Sequence, residues 1–231
     1  MDIETRIITI KNNEVSEKGA AACIKSSKKV GNKNLIHIYD AVTPEEVGTH
    51  LTDYMLKWNW PWEGSVFDIA TGLKKSAYRT DNPAARIACS LSHYKLWRQV
   101  AGAAKPFLIL EHDALFINKL DESILSTNHQ IVGLNNPLSA TRKAREFMEI
   151  ANSGKTHIVP VPTVDSVSVP QGLAGNSAYI IKPEGANQLI KLVKKYGLWP
   201  NDALMCKQLV KGMGVTRKFY TRVQGLPSTT T

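Results

Sequence analysis

Apolar residues arrive along this chain in runs of four or five, separated by longer segments of helical period, and that alternation predicts an α/β fold. Arg6-Ile7-Ile8-Thr9-Ile10 is short and β-rich and reads as the first strand. Asn13 is placed to cap a helix that runs to about Val30, with Gly19-Ala20-Ala21-Ala22 allowing close packing, and Gly31-Asn32 ends it. Leu35 to Tyr39 is the second strand, so a βαβ unit with a parallel sheet opens the chain. Residues 44–80 are less regular and hold Trp58-Asn59-Trp60-Pro61-Trp62, aromatics that either stack on a ligand or plug a small apolar cluster. Thr80-Asp81-Asn82-Pro83 is a strong helix start, and the helix it opens ends near Gly102. Its Ala88, Ser90 and Ser92 keep it thin enough to lie against a sheet or a ligand.

Pro106 to Leu110 is the next strand, and His129 to Leu134 a further one. The polar stretch 135–160, with a basic helix around Thr141 to Arg145, reads as an excursion from the core. Ser177 to Ile181 is a strand, followed by a helix from Pro183 to about Tyr196. Trp199-Pro200-Asn201-Asp202 starts another helix through ALMCKQLVKG, and Arg217 to Val223 is a last strand. No repeat, heptad run or linker divides the chain. A single domain over 1–231 is expected.

Composition narrows the class. Apolar content of 43% with 21% charged residues is globular rather than disordered. The three cysteines are odd in number and far apart, which suits reduced core thiols rather than a disulfide frame. No apolar run approaches a membrane span, and the acidic start MDIETRIITIK is unlike a secretory signal, so a cytoplasmic protein is expected. The net charge of +9 is uneven: Lys182 to Thr231 holds nine basic residues against two acids. That segment is either a solvated basic face or one that meets an anionic partner.

The candidate chemistry sits at Leu108-Ile109-Leu110-Glu111-His112-Asp113. Ligand sites in open α/β sheets lie beyond the carboxyl ends of the strands. Two carboxylates at i and i+2 on that edge suit a hard divalent cation, Mg²⁺ or Mn²⁺, that also holds phosphates. His112 is a further ligand, a phosphate donor or a spacer. The alternative is that both acids only cap the following turn. Phosphate-loop, dinucleotide-binding and nucleophile-elbow motifs are absent from the sequence.

Four segments in order then resemble glycosyltransferase family 25, the lipooligosaccharide and procollagen galactosyltransferase-like enzymes. They are Ala88-Cys89-Ser90-Leu91-Ser92-His93 with Leu96-Trp97, then Leu110 to Ala114. Gly175 to Ile181 with Gly185-Ala186, and Pro200-Asn201-Asp202, complete the set. Three positions depart from the pattern: Ala88 stands for glycine, His112 for the central acid of an acidic triplet, and Thr43-Pro44 for an Asp-Gly pair.

The resemblance implies a GT-A-like nucleotide-sugar-binding fold with a mostly parallel central sheet, and inverting transfer from a nucleotide sugar, UDP-linked by preference. It implies a donor-binding half of about 1–135 and an acceptor-side half of about 136–231. Metal binding would rest on Glu111 and Asp113, with His112 beside them. Asp202 is the candidate general base, or else only part of a helix cap with Asn201. Ile10, Lys11, Ser92, His93, Asn176 and Gln224 are the donor-side candidates. Three of them have a bland alternative: His93 as a core histidine, Ser92 bonding back within its helix, Asn176 shaping a turn; Gln224 is expected to close over the diphosphate. The acceptor is a bacterial surface glycan or a hydroxymethylated base in DNA, both anionic. A non-catalytic nucleic-acid- or glycan-binding module is the competing class, kept open by His112.

Overall fold

The computed structural model describes residues 3–138 and 140–229. Its strands are β1 (Glu4–Thr9), β2 (Ile36–Asp40), β3 (Ser65–Asp68), β4 (Leu73–Ser76), β5 (Phe107–Glu111), β6 (Ala114–Phe116), β7 (Ile131–Gly133), β8 (Ile158–Pro160), β9 (Ala178–Ile181), β10 (Met213–Thr216) and β11 (Thr221–Val223). Its helices are α1 (Glu14–Lys29), α2 (Val47–Asp53), α3 (Pro83–Gly102), α4 (Ala144–Ser153), α5 (Pro183–Tyr196) and α6 (Asn201–Leu204).

Seven strands form one sheet in the order β2-β1-β5-β9-β7-β10-β8. β1 runs parallel to β2 and β5, and β7 parallel to β10, while β9 opposes β5 and β7 and β8 opposes β10. The result is a mixed α/β fold whose sheet is mostly parallel in strand direction. The β6–β11 and β3–β4 pairs stand apart from it.

The order of strands places the site. From β1 the chain moves outward to β2, then returns across β1 to β5 on its other side. The crevice between β1 and β5 is therefore a switch point, where loops diverge and leave room for a ligand. Ile8 pairs with Glu111 there, so the acid stands at the carboxyl rim.

Both faces of the sheet are covered, which explains the unbroken apolar run of β5. Phe107 and Ile109 join the core with Trp97 and Trp199, on the side of α3 and α5. Leu108 and Leu110 join the opposite core with Cys23 of α1. By strand alternation Glu111 continues the first series and faces α3.

Three expectations need correction. The stretch 135–160 is no excursion: Phe147 and Ala151 of α4 join the main core, and β8 pairs with β10 in the main sheet. The last helix is a single turn, Asn201–Leu204, because Cys206 bridges back to Gly172 and the Lys207 N–H bonds the Gln171 carbonyl at 3.0 Å. The last strand is shorter than expected: of Arg217 to Val223 only β11, Thr221–Val223, is a strand, and it pairs with β6 rather than joining the main sheet. The hairpin β3–β4 and the strands β6, β8 and β10 were not anticipated. Asn13 caps α1 through the Ser16 N–H at 2.9 Å and Asn82 caps α3 through the Ala85 N–H at 3.0 Å, both as expected. Among the described residues no helix is long and apolar enough to cross a membrane.

Candidate active site

Glu111 is held on two sides. Its Oε1 lies 2.9 Å from His93 Nε2, and the Asn201 amide also bonds its carboxylate. Burial pushes the Glu111 carboxyl up, but its interactions with His93, then with His112 and the Asn201 amide, more than offset this and hold it below its ordinary value. The side chain keeps 27% exposure, so the carboxylate faces a cleft while its base is fixed.

Asp113 follows after a tight turn and has the opposite electrostatic character. Burial, and then the charge of Glu111, raise its carboxyl to about 7. Its Oδ1 is buried without a hydrogen-bond partner. A buried acid beside a second acid, with an orphaned oxygen, is an environment that a cation would relieve. The residues present therefore fit a divalent ion held by Glu111 and Asp113. His112 adds less. Burial lowers its imidazole below the ordinary value, and its carbonyl accepts from Gln224 Nε2 at 3.1 Å. Among the described residues the ligand atoms that converge within 4.8 Å are those of Cys89, His93 and Glu111, not the Glu111-His112-Asp113 triplet. In that trio the histidine already bonds Glu111 and Tyr179, and burial pushes the Cys89 thiol well above its usual value. The trio reads as a hydrogen-bonded cluster.

Asp202, in the first turn of α6, lies near enough to feel the Glu111 charge. It is solvent-exposed along part of its surface, yet its carboxyl is closely surrounded by protein. Burial raises its carboxyl, Arg86 pulls it down, and the Glu111 charge raises it again. The Tyr78 hydroxyl and the Ala203 N–H donate to it. The buried Cys89 thiol feels the charges of Glu111, Asp202 and Asp113 together, so the three acids share one neighbourhood.

The donor-side candidates separate into groups. Asn176 lines a cavity of about 290 Å³ with Glu111, Asp113 and Gly175, and its Oδ1 is buried without a partner. Ile10 and Lys11 follow β1 at the same rim, with the Ile10 N–H donating to Ser16 Oγ at 2.8 Å. Ser92 is fully engaged: it donates to the Ala88 carbonyl at 2.8 Å and accepts from the Val42 N–H at 2.9 Å. It thereby shapes the loop after β2. Gln224 turns inward, its amide nitrogen 2.9–3.1 Å from the carbonyls of Gly19, His112 and Ala114. It clasps the turn that carries Asp113. A larger concavity of about 530 Å³, beside α4 and β8, is lined by Val159, Pro162 and Lys207 and holds no carboxylate.

Gly19 of α1 lets that turn approach. A Cβ there would lie 2.8 Å from the His112 carbonyl oxygen, a backbone atom, and 2.7 Å from Leu226 Cδ1. Gly19→Ala is expected to cost about 1–3 kcal/mol through overpacking and to displace Asp113. Thermal unfolding beside a Mn²⁺ titration checks this: both the midpoint and the affinity should fall.

Sequence reasoning missed Tyr78 and Arg86, which belong to none of the four segments. The tryptophan loop divides its work. Trp60 is buried against Trp199 and Tyr78, ring centroids 5.3 and 5.7 Å away, and so buttresses the tyrosine that meets Asp202. Trp58 and Trp62 stack on each other at 5.1 Å.

Comparison with known proteins adds a family. A family model described as glycosyltransferase family 25 (LPS biosynthesis protein) matches residues 24–205. No curated protein matches. Among solved structures, the apo structure of the bifunctional glycosyltransferase WbbM is similar at 9% identity and a TM-score of 0.45, over 92% of this chain. The alignment takes in 38% of that protein, so the chain spans well under half its length.

Proposed function

The chain belongs to glycosyltransferase family 25, and from that membership we propose that it moves a sugar from a nucleotide-sugar donor, UDP-linked by preference, to a hydroxyl of a lipopolysaccharide-type saccharide in the cytoplasm. The observation that carries this reading is the cavity at the β1/β5 rim that Glu111, Asp113 and Asn176 line together, with Asp202 near enough to feel the Glu111 charge. Mn²⁺ or Mg²⁺ would be held by Glu111 and Asp113, and when bound it supplies positive charge against the departing diphosphate. The donor side draws on the first half of the chain, with Asn176 reaching in to accept from a sugar hydroxyl through its unpartnered Oδ1. Asp202 takes the proton from the acceptor hydroxyl as that oxygen attacks the anomeric carbon. Its raised carboxyl makes it a stronger base than an ordinary aspartate, and the Tyr78 hydroxyl and the Ala203 N–H orient it. Attack from the face opposite the leaving diphosphate inverts the anomeric centre. The exposed Lys191, Lys194 and Lys195 of α5 suit the anionic groups of such an acceptor.

The test is product formation from a panel of nucleotide sugars and lipopolysaccharide-core acceptors, with Mn²⁺ and with chelator, read by mass. New product in the anomeric configuration opposite to the donor supports the reading. Retained configuration removes the inverting role of Asp202. A mass gain on hydroxymethylated DNA alone would move the acceptor to nucleic acid. A chain that binds glycan or DNA but neither transfers nor hydrolyses any donor is a binding module.

A further inference from the structure

Two lines of hydrogen bonds end on Glu111, and every donor in them points towards it. In the first, Trp97 Nε1 lies 2.9 Å from the Tyr179 hydroxyl, which lies 2.8 Å from His93 Nδ1, and His93 Nε2 lies 2.9 Å from Glu111 Oε1. An indole nitrogen only donates, so the Tyr179 oxygen accepts from Trp97. Its own hydrogen then goes to His93 Nδ1, which must be bare, and the ring proton sits on Nε2 facing the carboxylate. Were Nδ1 protonated, Tyr179 would face two donors and its hydrogen would have no acceptor among the described residues. Trp97, Tyr179 and His93 are all fully buried, where an unmade bond is costly. In the second line the Cys89 thiol, 3.7 Å from Asn201 Oδ1, fixes that amide so that its nitrogen faces Glu111.

We infer that Trp97, Tyr179, His93, Cys89 and Asn201 are positioning residues, a buried scaffold of one-way donors that fixes the rotamer of Glu111 and aims its free edge into the cleft. All five lie in the segments that carry the family resemblance, which gives those letters a physical task beyond ligand contact. The inference concerns the reaction proposed above, but its first test is independent of it.

That test is the ¹⁵N spectrum of histidine-labelled protein at neutral pH. His93 is assigned by its loss in His93→Gln, or through contacts to the Tyr179 and Trp97 rings if that variant does not fold. The expected result is the Nε2–H tautomer with Nδ1 as an acceptor. A proton on Nδ1, or on both nitrogens, overturns the scaffold. The second test compares Tyr179→Phe with Trp97→Phe by Mn²⁺ titration and kinetics. Tyr179→Phe removes the donor that sets the tautomer, so Mn²⁺ affinity and kcat should each fall about 10–100-fold with acceptor KM unchanged. Trp97→Phe removes more buried volume yet leaves the Tyr179 hydrogen in place. It should lower the thermal midpoint more and Mn²⁺ affinity much less. Affinity losses that instead follow the order of thermal destabilisation would overturn the inference. If the protein binds no Mn²⁺ at all, the metal reading fails and the tautomer still decides the scaffold.

Discussion

Asp202→Asn is expected to lower the transfer rate by about 10²–10⁴-fold, the usual weight of a positioned general base. The replacement is close in shape, and its amide oxygen can still accept from one of the two donors, the Tyr78 hydroxyl or the Ala203 N–H, that hold the aspartate. What disappears is the ability to take a proton. Donor KM should change little, because Glu111, Asp113 and Asn176 stay in place. The pH profile separates this role from a structural one. Burial and the Glu111 charge raise the Asp202 carboxyl, so wild-type activity should climb with pH through an inflection above that of an ordinary aspartate. The variant should be flat over that limb. Arg86 pulls the same carboxyl down, so Arg86→Gln should move the inflection to higher pH. Stopped assays from pH 4 to 9, with product read by mass, measure all three. An Asp202→Asn enzyme with near wild-type turnover would reduce Asp202 to a first-turn helix residue.

Much of the fold was legible because local signals and burial agree. Asn82-Pro83 announces α3, and the unbroken Phe107 to Leu110 announces a strand covered on both faces. Other elements depend on distant partners. Met213-Gly214-Val215-Thr216 carries no β signature, yet Gly214 lets the strand pass His129, whose Cδ2 would lie 2.6 Å from a Cβ there. Ala203 to Val210 has the period of a helix, but the bridge from Cys206 to Gly172 stops it after one turn. The candidate site divides the same way. Glu111 and Asp113 are readable from spacing at a strand end. Tyr78 and Arg86 are not, because an irregular segment and a helix start bring them to Asp202 only through the fold. Ser92 and Gln224 show the converse: polar residues at the rim whose side chains turn to backbone groups and shape the loops around the cleft.

Asp113→Asn should make the cation-free protein more stable while removing its response to Mn²⁺. In the folded state the Asp113 carboxyl is raised to about 7 by burial and by the Glu111 charge. Unfolded, it returns to about 3.9. Between those values the folded state holds more protons than the unfolded one, so stability falls as pH rises through that window. Above it, keeping the charge buried costs on the order of 2–4 kcal/mol. Asparagine carries no charge and escapes that cost. At pH 8 with chelator the variant should unfold several degrees above wild type, at roughly 2–4 °C per kcal/mol for a chain of this size. Near pH 4, where the aspartate is protonated, the two should coincide. Mn²⁺ at a thousand times Kd should reverse the ranking, since only wild type gains, by about 4.1 kcal/mol. Transfer activity should fall with the lost affinity, because Glu111 alone is a poor site for a hard dication. Calorimetry at the two pH values, with and without Mn²⁺, measures each of these. If chelated wild type and variant unfold together at pH 8, the Asp113 charge is already relieved within the fold, and the cleft would not need a cation to neutralise it.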